Sequence, residues 1–311
     1  MGYPRCLTVH AEAPGFYHCI SRCVRRAWLC GEDPVSGKNF DHRRAWIEQR
    51  LLFLADSFAV GLYAWAVMSN HTHVVLRIDP GLPASWSDEE VAWRWARLSR
   101  TLVPVSEPDA AAHARQLTQS PERIEVLRQR LGSLSWFMRF LNEAIARSAN
   151  AEDGCSGRFW EGRYRCQALL DDESVLACMA YVDLNPIRAG IADDLHSSEF
   201  TSVRRRLQSI APAPPNSETV ILPIAGVPNG KLPVSLAGYI TLVEWTGRIS
   251  RIGRRRTSRD VPSALGEIRG SPDWWVGSVP RIEQAFGSAV GNPNSLRKRA
   301  RATGRAWLRG I

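Results

Sequence analysis

Leu62-Tyr63-Ala64-Trp65-Ala66-Val67-Met68-Ser69-Asn70-His71-Thr72-His73-Val74-Val75-Leu76-Arg77-Ile78 is the stretch on which the fold turns. Both halves are rich in apolar, β-branched and aromatic residues, and Met68-Ser69-Asn70 interrupts them over the length of a turn. The two runs are therefore expected to pair as antiparallel strands. Side chains alternate along a strand, so His71, His73, Val75 and Arg77 share one face of the second run, and Thr72, Val74, Leu76 and Ile78 the other. The first face is mixed and the second is wholly core-like. Two imidazoles two residues apart on one face can reach a single divalent cation. Two incidental histidines on a half-exposed strand would give the same pattern, so the spacing by itself leaves both readings open.

Working upstream, Pro14-Gly15 marks a turn and Phe16–Arg22 reads as another strand. Asp41 is placed to cap a helix whose apolar positions run through Trp46, Ile47, Leu51, Leu52 and Leu54 to Phe58. Downstream, residues 81–131 are polar, Ala/Arg/Glu-rich and helical in character, with Ser87-Asp88-Glu89-Glu90 as a helix start. Leu134, Phe137, Met138, Leu141 and Ile145 recur at amphipathic helical spacing. Residues 154–162 read as loop and Tyr164–Leu170 as a short strand. Asp171 or Asp172 then caps a helix expected to end at Pro186.

On that last helix Tyr181 and Asn185 stand one turn apart. Their face carries the small residues Ser174, Ala177 and Cys178, whereas Val175, Met179 and Val182, with Leu176 and Ala180 beside them, make the expected core face. Tyr181 is the one large residue on the small face, where its hydroxyl could meet a substrate. A packed ring with a solvated hydroxyl reads equally well.

The net charge of +9 is unevenly placed. Residues 204–311 hold eighteen Lys and Arg against six Asp and Glu, and residues 1–203 hold slightly more acid than base. A concentrated basic field suits a polyanion such as nucleic acid and suits a solvated surface as well. Seven cysteines, an odd number in a chain of 311 residues, argue against a disulfide framework, and Cys19, Cys23 and Cys30 form no CxxC pair that would suggest zinc. The first residues lack the apolar core of a secretory signal, and no run is long enough for a membrane helix. A cytoplasmic location is expected.

Three stretches taken in order carry a family resemblance: Met68–Leu76, Gly157-Arg158-Phe159-Trp160-Glu161-Gly162-Arg163-Tyr164, and Tyr181-Val182-Asp183-Leu184-Asn185-Pro186-Ile187-Arg188-Ala189-Gly190. Together with Pro14–His18 and Ser21-Arg22, they resemble the REP-associated tyrosine transposases of the single-tyrosine HUH class. The resemblance covers residues 14–207, apart from the insertion at 81–131. It implies a metal-dependent enzyme that cuts and rejoins single-stranded hairpin or repeat DNA through a 5′-phosphotyrosine intermediate. Tyr181 would be the nucleophile, His71 and His73 would hold Mg²⁺ or Mn²⁺, and Asn185 would stand where relatives often place a ligating Gln. Thr72 departs from the bulky apolar residue usual between the two histidines. Arg22, Arg25, Arg26, Arg158, Arg163, Arg165 and Arg188 are expected phosphate contacts, with Trp160 available to stack on an unpaired base. An HUH replication initiator or relaxase, and a catalytically silent DNA-binding protein, are the alternatives. The oligomeric state, monomer or homodimer, is open.

The expected architecture is α+β, a ferredoxin-like antiparallel sheet with helices on one face, as the resemblance implies. Residues 1–208 would form this catalytic domain. Residues 209–311, with Arg clusters at 248–259 and 297–309 and the prolines of Ala211–Pro215 as a linker signal, would form a basic accessory DNA-binding region.

Overall fold

A computed structural model describes residues 8–10, 12–24, 28–34, 36–209, 220–228, 230–252 and 261–310. The opening stretch folds as its pattern requires. Strands β2 (Val60–Val67) and β3 (His71–Ile78) form an antiparallel hairpin, closed where the Met68 amide donates to the His71 carbonyl at 2.9 Å. β3 pairs on its other side with β1 (Gly15–Arg22), and β1 pairs with β4 (Arg165–Leu169), both antiparallel. Two short strands complete the edges: β5 (Ala225–Gly226) on β2, and β6 (Ala289–Val290) running parallel to β4. The order is β5-β2-β3-β1-β4-β6, so the histidine strand is central.

The expected α+β class and antiparallel core are present. One detail differs: the helices cover both faces of the sheet. Helix α1 (His42–Ser57) packs with a long helix, Leu134–Glu152, whose Asn142 accepts a 3.1 Å hydrogen bond from Ser21 on one face. The helix Asp172–Asp183 lies over the other face, where His18 and His73 point. The physical reason is that β2 is buried along its whole length, so neither face of the sheet centre is polar enough to meet water.

The insertion is helical as expected: a 3₁₀ turn at Leu82–Ser85, then α2 (Asp88–Ala96), α3 (Glu107–Leu117) and α4 (Pro121–Leu131). Ser87 and Ser106 cap α2 and α3 by accepting from backbone amides. The long helix that follows is α5, and α6 is Asp172–Asp183. Asp171 and Ser174 form a reciprocal capping box at the start of α6. α6 ends at Asp183, three residues before Pro186, and a separate turn, α7 (Asn185–Arg188), carries Asn185.

A separate region is expected from residue 209 onward. After α8 (Ser202–Ser209) the chain returns to the same sheet, because β2 and β4 would otherwise leave open edges. Gly226 adopts a positive φ of 84°, and a Cβ there would collide with the Val60 carbonyl, so this edge accepts only glycine. α9 (Leu236–Ile252) packs on α6, and α10 (Ser263–Glu267), α11 (Pro272–Ser278), α12 (Ile282–Ala285) and α13 (Pro293–Ala302) follow it. Tyr239, Leu242, Trp275, Ile282 and Val290 belong to the same apolar core as Trp65, Val74 and Met179. The linker prolines and Arg254, Arg255, Arg256 and Arg259 of the first basic cluster lie outside the described residues. Among the described residues no helix is long and apolar enough to cross a membrane. Among the described residues no disulfide is formed.

Candidate active site

The site is built on β3 and β1. Their antiparallel register sets Ile20 opposite His73 and His18 opposite Val75, so His18 and His73 share the face beneath α6. α6 lays Tyr181 over them. The His73 and Tyr181 ring centres are 5.7 Å apart, those of His18 and Tyr181 6.2 Å, and those of His71 and His73 4.7 Å. The phenol and both imidazoles thus meet at one place.

Tyr181 is only 8% exposed. The small-residue face of α6 is not open to solvent, because α9 and the 3₁₀ turn Val279–Arg281 cover it, and every residue from Glu173 to Asp183 is buried. The Tyr181 ring is thus packed, as one of the two expected readings has it, and its hydroxyl is bonded to protein. Its hydroxyl donates to Glu283 Oε1 at 2.7 Å. Burial pushes the phenol well up from its usual range, and the Glu283 carboxylate adds to this; Arg188 and the Asn185 amide oppose it.

Glu283 Oε1 also lies 3.6 Å from His73 Nε2. This is not an ion pair. Burial holds the His73 imidazole well below its usual range, with His18, His71, Arg22 and Arg188 adding to the effect, so the ring is neutral. Burial likewise holds His71 down to about 4, with Arg22 contributing. His71 gives its Nδ1 hydrogen to Asn70 Oδ1 at 2.6 Å, which leaves its Nε2 bare. His73 Nδ1 is engaged by His18 at 3.0 Å, and His73 Nε2 is buried without a hydrogen-bond partner.

These features bear on a metal ion. Neutral imidazoles with an unpaired Nε2, beside a carboxylate, are the donor set a divalent cation takes. Among the described residues no three or more His, Cys, Asp or Glu side chains are grouped so that they could hold a metal ion together. Asn185 is 9% exposed and adjoins Tyr181; its Nδ2 is buried without a hydrogen-bond partner.

The expected phosphate contacts divide. Arg22 is exposed opposite His71, at the mouth of the site. Arg188 is exposed and lies 5.2 Å from the Tyr181 ring centre, with one nitrogen given to the Pro280 carbonyl at 2.8 Å. Arg158 and Arg163 line a cleft of ≈ 770 Å³ with Trp136, Arg139 and Trp160. Trp160 is tied to the Asn142 carbonyl through its indole N–H at 2.8 Å, which fixes its ring in that wall. Arg165 is exposed, and one of its nitrogens donates to the Glu283 carbonyl at 2.6 Å and the Phe286 carbonyl at 3.4 Å, while another lies 3.8 Å from the Glu283 carboxylate, so it ties the C-terminal segment to β4. Arg25 and Arg26 lie outside the described residues.

Three residues at the site were given no role by the sequence. His18 lies in a strand that the resemblance includes without assigning it a task, and only the β1–β3 register shows that it adjoins His73. Gln167 sits in a strand of five residues. Glu283 belongs to the part of the chain without a motif.

The sequence matches no family model, and no curated protein matches it. A solved structure described as a REP-associated tyrosine transposase bound to a REP hairpin is similar in outline, with 12% identity and a TM-score of 0.39 over 67% of this chain and 87% of that one. A superposition of that quality supports no residue-by-residue transfer.

Proposed function

We propose that this chain cuts and rejoins single-stranded DNA, with Tyr181 as the nucleophile that becomes transiently joined to a 5′-phosphate. One observation carries the reading. A single carboxylate oxygen, Glu283 Oε1, stands 2.7 Å from the Tyr181 hydroxyl and 3.6 Å from the unpaired Nε2 of His73. A nucleophile, a proton acceptor and a cation ligand thus share one point, on a chain whose motifs resemble single-tyrosine transposases.

The chemistry follows from what each group can do. A phenol is a weak nucleophile until its proton leaves, and Glu283 is hydrogen-bonded to that proton. As the proton passes to the carboxylate, the Tyr181 oxygen attacks phosphorus in line. A tyrosine–phosphate bond forms, the bond to the 3′ oxygen breaks, and that oxygen leaves as a 3′-OH after taking a proton from solvent. In the reverse sense, a 3′-OH attacks the phosphotyrosine, the strands are joined, and Glu283 returns the proton to Tyr181. Bond energy is kept throughout, so no nucleotide is consumed. Mg²⁺ or Mn²⁺ held by His71 and His73 would polarise a non-bridging phosphate oxygen. Asn185 could turn its Oδ1 to that ion or its Nδ2 to the phosphate, and the unpartnered Nδ2 favours the phosphate. Arg22 and Arg188 supply positive charge at the mouth. Arg158, Arg163 and Trp160 offer a cleft for adjoining nucleotides of a hairpin or repeat.

The raised phenol is the one feature favouring the alternative, a DNA-binding protein that does not cut. Incubation with labelled single-stranded hairpin DNA and Mn²⁺ separates the two. The expected product is a covalent protein–DNA adduct on a denaturing gel, lost in Tyr181→Phe while hairpin binding persists. Tight binding with no adduct in any divalent metal would rule out the transesterase.

A further inference from the structure

We infer that His18 and Gln167 are positioning residues that hold His73 as the tautomer protonated on Nδ1, so that its Nε2 lone pair faces Tyr181 and Glu283. All three side chains are 0% exposed, so no solvent can settle their polarity for them. The inference rests on the proposed function only for what the lone pair is for; the polarity itself follows from the hydrogen bonds.

The chain begins at two backbone carbonyls, which can only accept. Phe286 and Gly287 present their oxygens to Gln167 Nε2 at 3.3 and 3.0 Å. That end of the amide must therefore be the donor, and Oε1 must face the other way, toward His18 Nδ1 at 3.2 Å. An amide oxygen only accepts, so His18 carries its hydrogen on Nδ1. A fully buried ring whose two nitrogens face an amide and another imidazole carries one hydrogen, so His18 Nε2 is bare. His18 Nε2 lies 3.0 Å from His73 Nδ1, and that contact is a hydrogen bond only if His73 is the donor. His73 thus spends its hydrogen on Nδ1, and its buried Nε2, without a hydrogen-bond partner, is left bare.

A competing arrangement exists, and this gives the relay a task. Nε2 of His73 faces a carboxylate oxygen at 3.6 Å, and a carboxylate attracts an N–H. Without the relay, His73 would favour the tautomer protonated on Nε2, which can neither ligate a cation nor accept a proton there. Reversing the relay would set two acceptors against each other at Gln167 Oε1, or, with the amide flipped, an amide oxygen against two carbonyls. Each is a buried, unsatisfied polar contact. The two carbonyls belong to the segment that carries Glu283, so one stretch of chain places the carboxylate and fixes the polarity of the imidazole facing it.

The test reads the tautomer directly. Protein with ¹⁵N-labelled histidine, free of metal, is examined by NMR near neutral pH, with His73 assigned from a His73→Asn spectrum. Mn²⁺ affinity is measured by calorimetry and folding by thermal unfolding. The expected wild-type result is a protonated Nδ1 and an unprotonated Nε2. Gln167→Met keeps the length but removes the acceptor; it should mix the tautomers and weaken Mn²⁺ binding by roughly 10- to 100-fold. Gln167→Glu should restore both, since a buried carboxylic acid can give its hydrogen to a carbonyl and accept from His18. A wild-type His73 protonated on Nε2 overturns the inference, and so does a folded Gln167→Met with unchanged tautomer and affinity. If Gln167→Met does not fold, the wild-type spectrum alone decides. The expected wild-type tautomer without any Mn²⁺ binding leaves the relay standing and removes the metal from the proposed function.

Discussion

At Tyr181 the decisive neighbour is a single carboxylate. Glu283 raises the phenol and, in the proposed reaction, takes its proton, so the two effects separate on substitution. Glu283→Gln should bring the phenol down toward its usual range and yet slow adduct formation, by about 100-fold or more, because the proton acceptor is gone. Adduct formation at the parental rate would show that Glu283 takes no part in the chemistry. The surface arginines act differently. Arg158 and Arg163 face an open cleft and, as phosphate contacts, would each release counterions on binding. Alanine at either position should reduce the slope of log affinity against log salt by about 0.7 for a single strand. Arg165→Ala should change that slope less, because its charge already faces the Glu283 carboxylate at 3.8 Å. Titration of hairpin binding between low and moderate salt checks all three.

Among the elements, α6 is the one that everything else grips. Its last residue, Asp183, is fully buried and accepts from the Ser202 hydroxyl and the Val203 amide of α8 and from the Tyr239 hydroxyl of α9. Burial pushes the Asp183 carboxyl up to about 6, while Ser202, Tyr239, Arg206 and the Val203 amide pull it down. The folded chain therefore holds this proton more tightly than the unfolded chain, whose carboxyl titrates from 3.8. Its contribution to stability is fullest below the unfolded value, declines as pH rises toward about 6, and is constant above that. Asp183→Asn cannot titrate. Urea unfolding of both proteins from pH 4 to 7 should show the parent losing stability relative to the variant over this window, on the order of 3 kcal/mol for two pKa units. A flat difference would show that Asp183 is not the buried acid described. The same residue marks what a sequence can disclose. Helix α6, its Asp171 cap and the spacing of Tyr181 were legible from periodicity and capping chemistry. Asp183 was visible only as part of a motif, since its partners lie at 202 and 239 and local patterns carry no information about such distant contacts. The two-residue strands β5 and β6 were illegible for a related reason: neither is long enough to show alternation.

For the molecule as a whole, the expected division after residue 208 predicts two melting transitions, and the structure predicts one. The core runs continuously from Trp65 through Met179 to Trp275 and Val290. A chain truncated after residue 208 loses both edge strands, the cover on α6 and Glu283. It should be degraded by protease under conditions where the full chain is stable, and should show no cooperative thermal transition. A truncated chain that melts cooperatively near the parent's temperature would restore the two-part reading. The approach of Tyr181 to His73 was expected from the resemblance. The central hairpin and the helical insertion could be anticipated, because they depend on patterns short in sequence. The C-terminal third could not, because its composition reports charge and its structure depends on edges elsewhere. The distance along the chain between Tyr181 and Glu283, 102 residues, also has a temporal side. A ribosome releases the phenol and both imidazoles well before the carboxylate that would take the phenol's proton. Until that later segment has docked, the proposed nucleophile lacks its proposed proton acceptor.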